Sequence, residues 1–483
     1  MNLEQAIKET VEGIVNDKVA TLQTELEAKN DENKKMHELL LNVCATITTS
    51  LSPSPATTKS DEKEVSSLKK EVSTLKKQLE KSEKKYITLK EKNDEKIDTI
   101  NELHDKLAST KESDDYTKKQ VISYFGNKRY LLDFIGDEVQ NIMKEEGIEK
   151  VKILDGFSGS GVVARILKQY ASELHTNDIE PYSHVINSCY LANKSDVDLD
   201  KIKEINQYLN DNKLAGDGGI LSDMYAPKDD TNIQKGERVF FSNKNAKIID
   251  NIRGMIDHVD KDIQPFLLGP LFYSACNHAN TNGGFASHFK ADGIGAFGGK
   301  NPSKYHKNRP LKEITLPLPL FSEYECDVIN HNEDCNELVK GLKGLDIAYF
   351  DIPYCKTQYG SYYHMLNTIN TNIKPTNINV ISGKPKDYYR SKYASKLHFK
   401  KTLDDLIKNT DSKYILLSFN DDDKNSVQDV QQILSKYGEV SIKSTSVRRF
   451  STKSSTVSKK KKVNELLFVL KKENDAVSIK KAA

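Results

Sequence analysis

Three short stretches hold residue types whose spacing suits chemistry. In Ile153-Leu154-Asp155-Gly156-Phe157-Ser158-Gly159-Ser160-Gly161, an apolar run enters a glycine-rich turn and then a helix-like VVARILKQY. Glycines let a ligand approach the backbone where a Cβ would clash. The pattern is not GxGxxG and lacks GK[ST], so a nucleoside-type cofactor loop and an ordinary turn both stay open. The second stretch is His175-Thr176-Asn177-Asp178-Ile179-Glu180, with Asp178 placed 23 residues after Asp155. An acid about 20 residues past such a turn suits ribose hydroxyls, and Asp is equally a common helix N-cap. Together the two favour an adenosine-bearing cofactor. The third is Asp351-Ile352-Pro353-Tyr354, ending the apolar run LDIAYF. A carboxylate at a strand end points into the cleft where α/β folds place ligands. An exocyclic amine is a poor nucleophile because its lone pair is delocalised into the ring. Two acceptors gripping its hydrogens favour the pyramidal, nucleophilic form. The Asp351 carboxylate and the Ile352 carbonyl are candidates, Pro353 fixes the chain, and Tyr354 offers a stacking face. A plain structural turn is the rival reading of DxPY.

Elements that position these residues follow from the texture after about residue 119. Short β-like runs appear at 151–155 (VKILD), 345–351 (LDIAYFD), 413–419 (KYILLSF) and 464–470 (NELLFVL). Helix-like stretches lie between the first of these, which argues for an α/β sheet. Residues 151–154, 345–350 and 413–419 are unbroken apolar runs, as expected of adjacent central strands covered on both faces.

Before this body the chain reads differently. Residues 62–110 carry a 3-and-4 spaced stripe: Val65, Leu68, Val72, Leu75, Leu79, Ser82, Tyr86, Leu89, Asn93, Lys96, Ile100, Leu103 and Leu107. Such a narrow seam on a polar helix needs a partner helix, and a seam Asn fixes register at a cost in stability. The expected organisation is a helical segment at 1–47, a flexible linker at 48–61, a coiled coil at 62–115, and one domain at 119–483 with an insert at about 190–330. A single solvated helix is the bland alternative for 62–110.

Composition narrows the classes. The chain has 483 residues and net charge +2, with 29% charged residues. Residues 441–483 hold 12 basic and 3 acidic side chains, a positive surface for a polyanion or a solvated tail. Within it, 443–462 has eight Lys/Arg and no acid. Contact with the phosphates of a polyanion is expected there, and a nuclear-import signal is the rival reading of KKKK. No apolar run is long enough for a transmembrane helix, and the first residues lack a signal-peptide pattern. Cys44, Cys189, Cys276, Cys326, Cys335 and Cys355 show no CxxC pairing. They read as reduced thiols of an intracellular protein, in cytoplasm or nucleus, with neither a disulfide frame nor a metal site expected.

Taken together, the motifs resemble a known family. Tyr124-Phe125-Gly126-Asn127-Lys128-Arg129-Tyr130-Leu131-Leu132 is similar to the opening motif of alpha-group adenine-specific (N6) DNA methyltransferases. DGFSGSG resembles their cofactor loop, and Asp351–Tyr354 resembles their catalytic motif, usually Asp-Pro-Pro-Tyr. The order of motifs is also that group's. DIPYCKTQYGSYYHMLNTI (351–369), SACNHANTNGGFASHFK (274–290), YILLSFNDDD (414–423) and NELLFVLKK (464–472) look like segments of methylases from type IIS restriction-modification systems. The resemblance covers roughly 119–472.

The resemblance implies a Rossmann-like methyltransferase sheet with helices on both faces and S-adenosylmethionine as cofactor. Double-stranded DNA is the implied partner, its target base flipped out. Tyr124, Gly126 and Lys128 would border the methionine end of the cofactor. Asp155, Phe157, Gly159 and Gly161 would form its pocket, with Phe157 against the adenine. Asp178 would bind the ribose and Asp334 the cofactor's adenine amine. Asp351, Pro353 and Tyr354 would hold the target adenine. One departure is Ile352, where the family has proline. It keeps a carbonyl whose direction is less constrained, which would lower activity. Asp351, where cytosine-N4 enzymes usually have Ser, argues against cytosine. Two alternatives are an RNA adenine methyltransferase and a catalytically weak scaffold subunit assembled through the coiled coil. The seam at 62–115 implies self-association or a helical partner. The target sequence would be read from the insert.

Overall fold

The structure, a computed structural model, describes residues 24, 27–35, 37–39, 41–42, 45, 59–108, 116–117, 122–354, 358–421, 427–448 and 462–473. The chain forms two compact units, Met1–Lys111 and Glu112–Ala483. Each is described by itself.

In the first unit, Lys59–Ala108 is one helix of 50 residues, about 75 Å long at a helical rise. It starts three residues before the expected seam. Between 66 and 94, Leu79, Ser82 and Asn93 are buried, and Val72, Leu75, Tyr86 and Leu89 are half-buried. Every other described side chain in that span is exposed. The 3-and-4 stripe is thus the covered face, as its spacing requires. The described residues between 24 and 45 are helical. The linker expected at 48–61 falls outside the described residues up to 58.

The second unit is built on a seven-stranded sheet. Its strands, in chain order, are β1 (Val151–Asp155), β2 (Ala171–Asn177), β5 (Asp327–His331), β6 (Leu345–Phe350), β7 (Ser412–Asn420), β8 (Gly438–Arg448) and β9 (Lys462–Lys472). A separate two-stranded hairpin pairs β3 (Lys290–Ala291) with β4 (Ile294–Gly295). The order across the large sheet is β5-β2-β1-β6-β7-β9-β8. The pairs from β5 to β7 are parallel, and β9 runs antiparallel to both β7 and β8. The three unbroken apolar runs are β1, β6 and β7, side by side at the centre as expected.

Strand side chains alternate between faces, and each face has its own core. Ile153, Ile347 and Leu416 pack with the helices Leu132–Glu146 and Val162–Leu167. Leu154, Ala348, Ile415 and Leu417 pack on the opposite face with Cys335–Gly341, Phe399–Asn409 and Val427–Leu434. Burial on both sides explains why these strands read as continuous rather than alternating apolar runs.

A third core joins the insert to the sheet domain. The helices Pro181–Tyr190, Leu199–Asn212, Asn243–Ile256 and Pro265–His278 enclose it, together with the helix His364–Thr371 after the catalytic motif. Upstream, Tyr116 secures the chain before the opening motif. Its hydroxyl donates to the Tyr190 carbonyl at 2.5 Å, and the buried Arg165 guanidinium lies 4.5 Å from its ring.

Of the basic stretch 443–462, Lys443 lies on β8, 4.0 Å from Glu138. Residues 449–461, with Lys453 and Lys459–Lys461, fall outside the described residues. No helix among the described residues is long and apolar enough to cross a membrane.

Candidate active site

β1, β2 and β6 end on one side of the sheet, and the turns that follow line a cleft of about 920 Å³. Tyr124, Gly126, Lys128, Asp155, Phe157, Gly159, Asp178, Asp334, Asp351 and Pro353 all line it. Residues spread over more than 200 positions of sequence are therefore gathered in one place.

The glycine turn explains how. Gly159 has φ +51°, and a Cβ there would lie 2.7 Å from the Tyr124 ring. Its N–H donates to Asp178 Oδ2 at 2.8 Å, while the Glu180 N–H donates to Oδ1 at 2.9 Å. Asp178 thereby bridges the end of β2 to the turn after β1. Both its oxygens are engaged, yet a carboxylate keeps further lone pairs.

Gly161 does not line the cleft. It starts the helix Val162–Leu167 at φ +73°, and a Cβ there would meet Asn187 Oδ1 at 2.5 Å. Its role is to turn the chain. Gly161→Ala is expected to lower stability by about 1–3 kcal/mol, from the positive φ and the contact together. Denaturant unfolding measures this, and an unchanged midpoint contradicts it.

Tyr354 is the other expected residue outside the lining. Its ring packs 4.9 Å from that of Phe419, and its hydroxyl accepts from Asn420 Nδ2 at 3.0 Å. Ile352 is buried in the core beside the sheet, and its carbonyl accepts from the Tyr354 N–H at 2.9 Å. The carbonyl direction, expected to be loose without proline, is held by that bond and by the buried side chain.

Charge in the cleft is one-sided. Six carboxylates line it (Asp155, Asp178, Glu180, Glu333, Asp334 and Asp351) against one lysine or arginine, Lys128. Lys128 Nζ lies 3.0 Å from Asp351 Oδ1 and donates to the Gly126 carbonyl at 3.4 Å. The Asp351 side chain is 23% exposed. Burial raises its carboxyl pKa, and the Lys128 charge opposes that rise. Asp155 is buried and makes no close hydrogen bond; the nearby N–H groups of Phe157 and Ala164 only partly offset its charge. Burial, then the charges of Asp351 and Asp178, push its carboxyl well above the usual range. Burial pushes Asp178 up to about 6 and Glu180 to about 7, the latter aided by the Asp178 charge.

Several lining residues carried no assignment in the sequence. Tyr389 and Tyr393 arrive from the segment after the catalytic motif. The Tyr389 hydroxyl donates to Asp334 Oδ2 at 3.1 Å, and the Tyr393 ring stands edge-on to Phe157 at 5.5 Å. Gln358, Tyr359 and Ser391 complete that wall. Glu180 follows Asp178 by two residues, and its Oε2 accepts from Asn367 at 2.8 Å. Asp334 also caps the helix Cys335–Gly341, accepting from the Asn336 N–H at 2.9 Å.

Comparison with known proteins agrees with this arrangement. A family model described as D12 class N6 adenine-specific DNA methyltransferase matches residues 124–425. The chain is 32% identical over 362 residues to the type II methyltransferase M.NlaIII of Neisseria lactamica, covering 73% of this chain and 99% of that protein. It is 30% identical to the type II methyltransferase M.CviAII of Paramecium bursaria Chlorella virus 1, over 72% of this chain and 97% of that protein. It is also 30% identical to the modification methylase StsI of Streptococcus sanguinis, over 72% of this chain and 52% of that longer protein. The family match begins at Tyr124 and runs past Asp351–Tyr354, so it takes in the turns that build the cleft. The chain belongs to the D12 class of N6 adenine-specific DNA methyltransferases.

Proposed function

We propose that this enzyme transfers a methyl group from S-adenosylmethionine to the N6 amine of an adenine within a specific double-stranded DNA site, the base being flipped out of the helix. The observation that carries the cofactor reading is the acid-lined cleft with its buried Asp155 carboxylate. A sulfonium ion with an α-ammonium group is the kind of ligand such a cleft holds, since opposite charge offsets the cost of buried carboxylates. Lys128 and Tyr124 would border its methionine end, Phe157 and Tyr393 its adenine, Asp178 its ribose, and Asp334 the adenine amine. When bound, it supplies an electrophilic methyl group.

The chain's own residues then act on the DNA base. The Asp351 carboxylate and the Ile352 carbonyl accept hydrogen bonds from the two N6 hydrogens, which localises the nitrogen lone pair. Lys128 holds Asp351 in place and favours its ionised form. As the new C–N bond forms and the methyl carbon's bond to sulfur breaks, its electron pair staying on sulfur, N6 would become cationic and release one proton through Asp351 toward solvent. Pro353 fixes the backbone, and Tyr354, seated by Asn420, would meet the face of the flipped base by a side-chain rotation. The stripe on Lys59–Ala108 is already covered within this chain between Val72 and Asn93, so pairing with a second copy or another protein would require that cover to exchange.

The decisive test is sequencing that maps methyladenine in DNA from cells expressing the chain. Methyladenine confined to one short motif supports the reading. Its absence from DNA, with methylated RNA instead, moves the assignment to RNA.

A pH dependence follows from the raised carboxyls. Cofactor binding should weaken by about tenfold or more between about pH 8 and about pH 5.5, because protonation removes the charges facing the cation. Stability of the free protein should move the opposite way. The folded values for Asp178 and Glu180 lie above the unfolded ones, so the folded state binds protons more tightly between them. Their contribution is most favourable at low pH and is lost as pH rises through about 6 to 7. Calorimetric titration and melting temperatures across this range measure both. Affinity that stays flat removes these acids from the cofactor site.

A further inference from the structure

The segment that follows the catalytic motif contains a tightly closed turn. The Asn379 N–H donates to the Lys384 carbonyl and the Gly383 N–H to the Asn379 carbonyl, both at 2.8 Å. The Lys386 N–H donates to the Asn377 carbonyl at 2.9 Å, and Ile378 bridges Pro385. The Asn379 side chain accepts from the N–H groups of Ile381 and Ser382 at 3.0 and 2.9 Å. The insert clamps this turn from below. Arg238 Nη2 donates to the Val380 carbonyl at 2.7 Å and Nη1 to the Met224 carbonyl at 3.1 Å. The Tyr225 hydroxyl donates to the Gly383 carbonyl at 2.8 Å. Gly383, at φ +73°, has no room for a Cβ against Tyr225 and Arg238.

All this order presents two adjacent branched aliphatic side chains to solvent. Val380 is 82% exposed and Ile381 76%. Two adjacent exposed apolar side chains on a hydrogen-bonded turn form a small apolar tip, whose use depends on what surrounds it. The surroundings name its chemistry: residues 373–392 hold five Lys/Arg (Lys374, Lys384, Lys386, Arg390 and Lys392) and one acid, Asp387. That charge suits a phosphate backbone. The place fits as well. Three residues after Pro385 the chain reaches the cleft, where Tyr388 packs on Gly360, Tyr389 bonds Asp334, and the Ser391 N–H donates to Gln358 Oε1 at 2.8 Å.

We propose that Val380 and Ile381 form a wedge that enters the stacked bases of duplex DNA beside the target adenine, while the flanking lysines hold the phosphates. This rests on the DNA methyltransferase reading above. Apolar wedges of this kind lower the cost of unstacking a base step. The wedge is needed only where the adenine must be pulled from a stable pair.

The test compares the parent with the double variant V380A/I381A on two duplexes carrying the mapped target. One duplex is fully matched, and the other has a mismatch opposite the target adenine, which makes flipping easier. The expected result is a loss of about tenfold or more in methylation on matched DNA, with the mismatched duplex methylated within about twofold of the parent. Calorimetric affinity for S-adenosylmethionine should be unchanged and serves as the check on folding. An equal loss on both duplexes, or no loss on either, overturns the wedge. So does V380D/I381D releasing a self-associated protein into monomers with both rates intact, which would make the turn an interface between copies. A parent that methylates neither duplex instead overturns the underlying DNA reading.

Discussion

Asp351→Ala should abolish methylation, by about three orders of magnitude or more, while S-adenosylmethionine affinity stays within about tenfold of the parent. Removing a group that acts mainly as the reaction proceeds leaves ground-state binding largely intact. Asp351 directly follows β6, a central strand fixed between β1 and β7, so removing the side chain should leave its backbone in place. Its Oδ1 lies 3.0 Å from Lys128 Nζ, so the alanine variant also takes the neutralising carboxylate away from a buried ammonium. Asp351→Asn separates the two effects. It keeps the shape and one acceptor beside Lys128 but presents an amide donor where the amine hydrogens need an acceptor. Both variants should be inactive and both should fold. Single-turnover methylation and calorimetry measure this pair of effects. A parent-level rate in either variant removes the carboxylate from the mechanism.

The central sheet was legible in sequence for a physical reason. β1, β6 and β7 are covered on both faces, so adjacent side chains in their middles are apolar (Ile153-Leu154, Ile347–Phe350, Tyr414–Leu417) and the runs stand out. β8 and β5 carry no such mark because they are edge strands. Ser441, Lys443 and Ser444 on β8 are exposed, and the region reads only as a basic stretch. β5, with Asp327, Asn330 and His331, is only half-buried. The insert was legible as a long gap between motifs, but its helices pack around a core shared with His364–Thr371, a contact between distant segments that no local periodicity reports.

The cleft divides along the same line. Asp155, Asp178 and Asp351 sit at strand ends or on the turns after them, where spacing from an apolar run reveals them. Tyr389 and Tyr393 lie in an irregular segment, and only tertiary folding brings them to Asp334 and Phe157. Glu180 stood in a quoted motif, yet its burial against Asn367 depends on a helix almost 190 residues later. Gly161 and Tyr354 show the converse. Their positions in the motifs were plain, but one serves the helix start and the other is held by Asn420.

Asp178→Ala should weaken S-adenosylmethionine binding by about 10- to 150-fold, the loss of charge-assisted hydrogen bonds worth about 1.5–3 kcal/mol. Two consequences of one residue combine here. Asp178 accepts from the Gly159 and Glu180 N–H groups, so its removal releases the glycine turn that shapes the pocket. It is also the acceptor assigned to the ribose. Asp178→Asn distinguishes these roles, since its single side-chain oxygen can keep one backbone bond but not both. If the turn dominates, the asparagine variant should recover only part of the affinity, and the melting temperature of the free protein should fall in both variants. If the ribose contact dominates, the free protein should melt near the parent's temperature, or above it at neutral pH, because a buried carboxylate has been removed. In either case turnover at saturating cofactor should stay far closer to the parent than in the Asp351 variants. An unchanged cofactor dissociation constant in Asp178→Ala refutes both roles and passes the ribose to Glu180, the next carboxylate in the cleft wall.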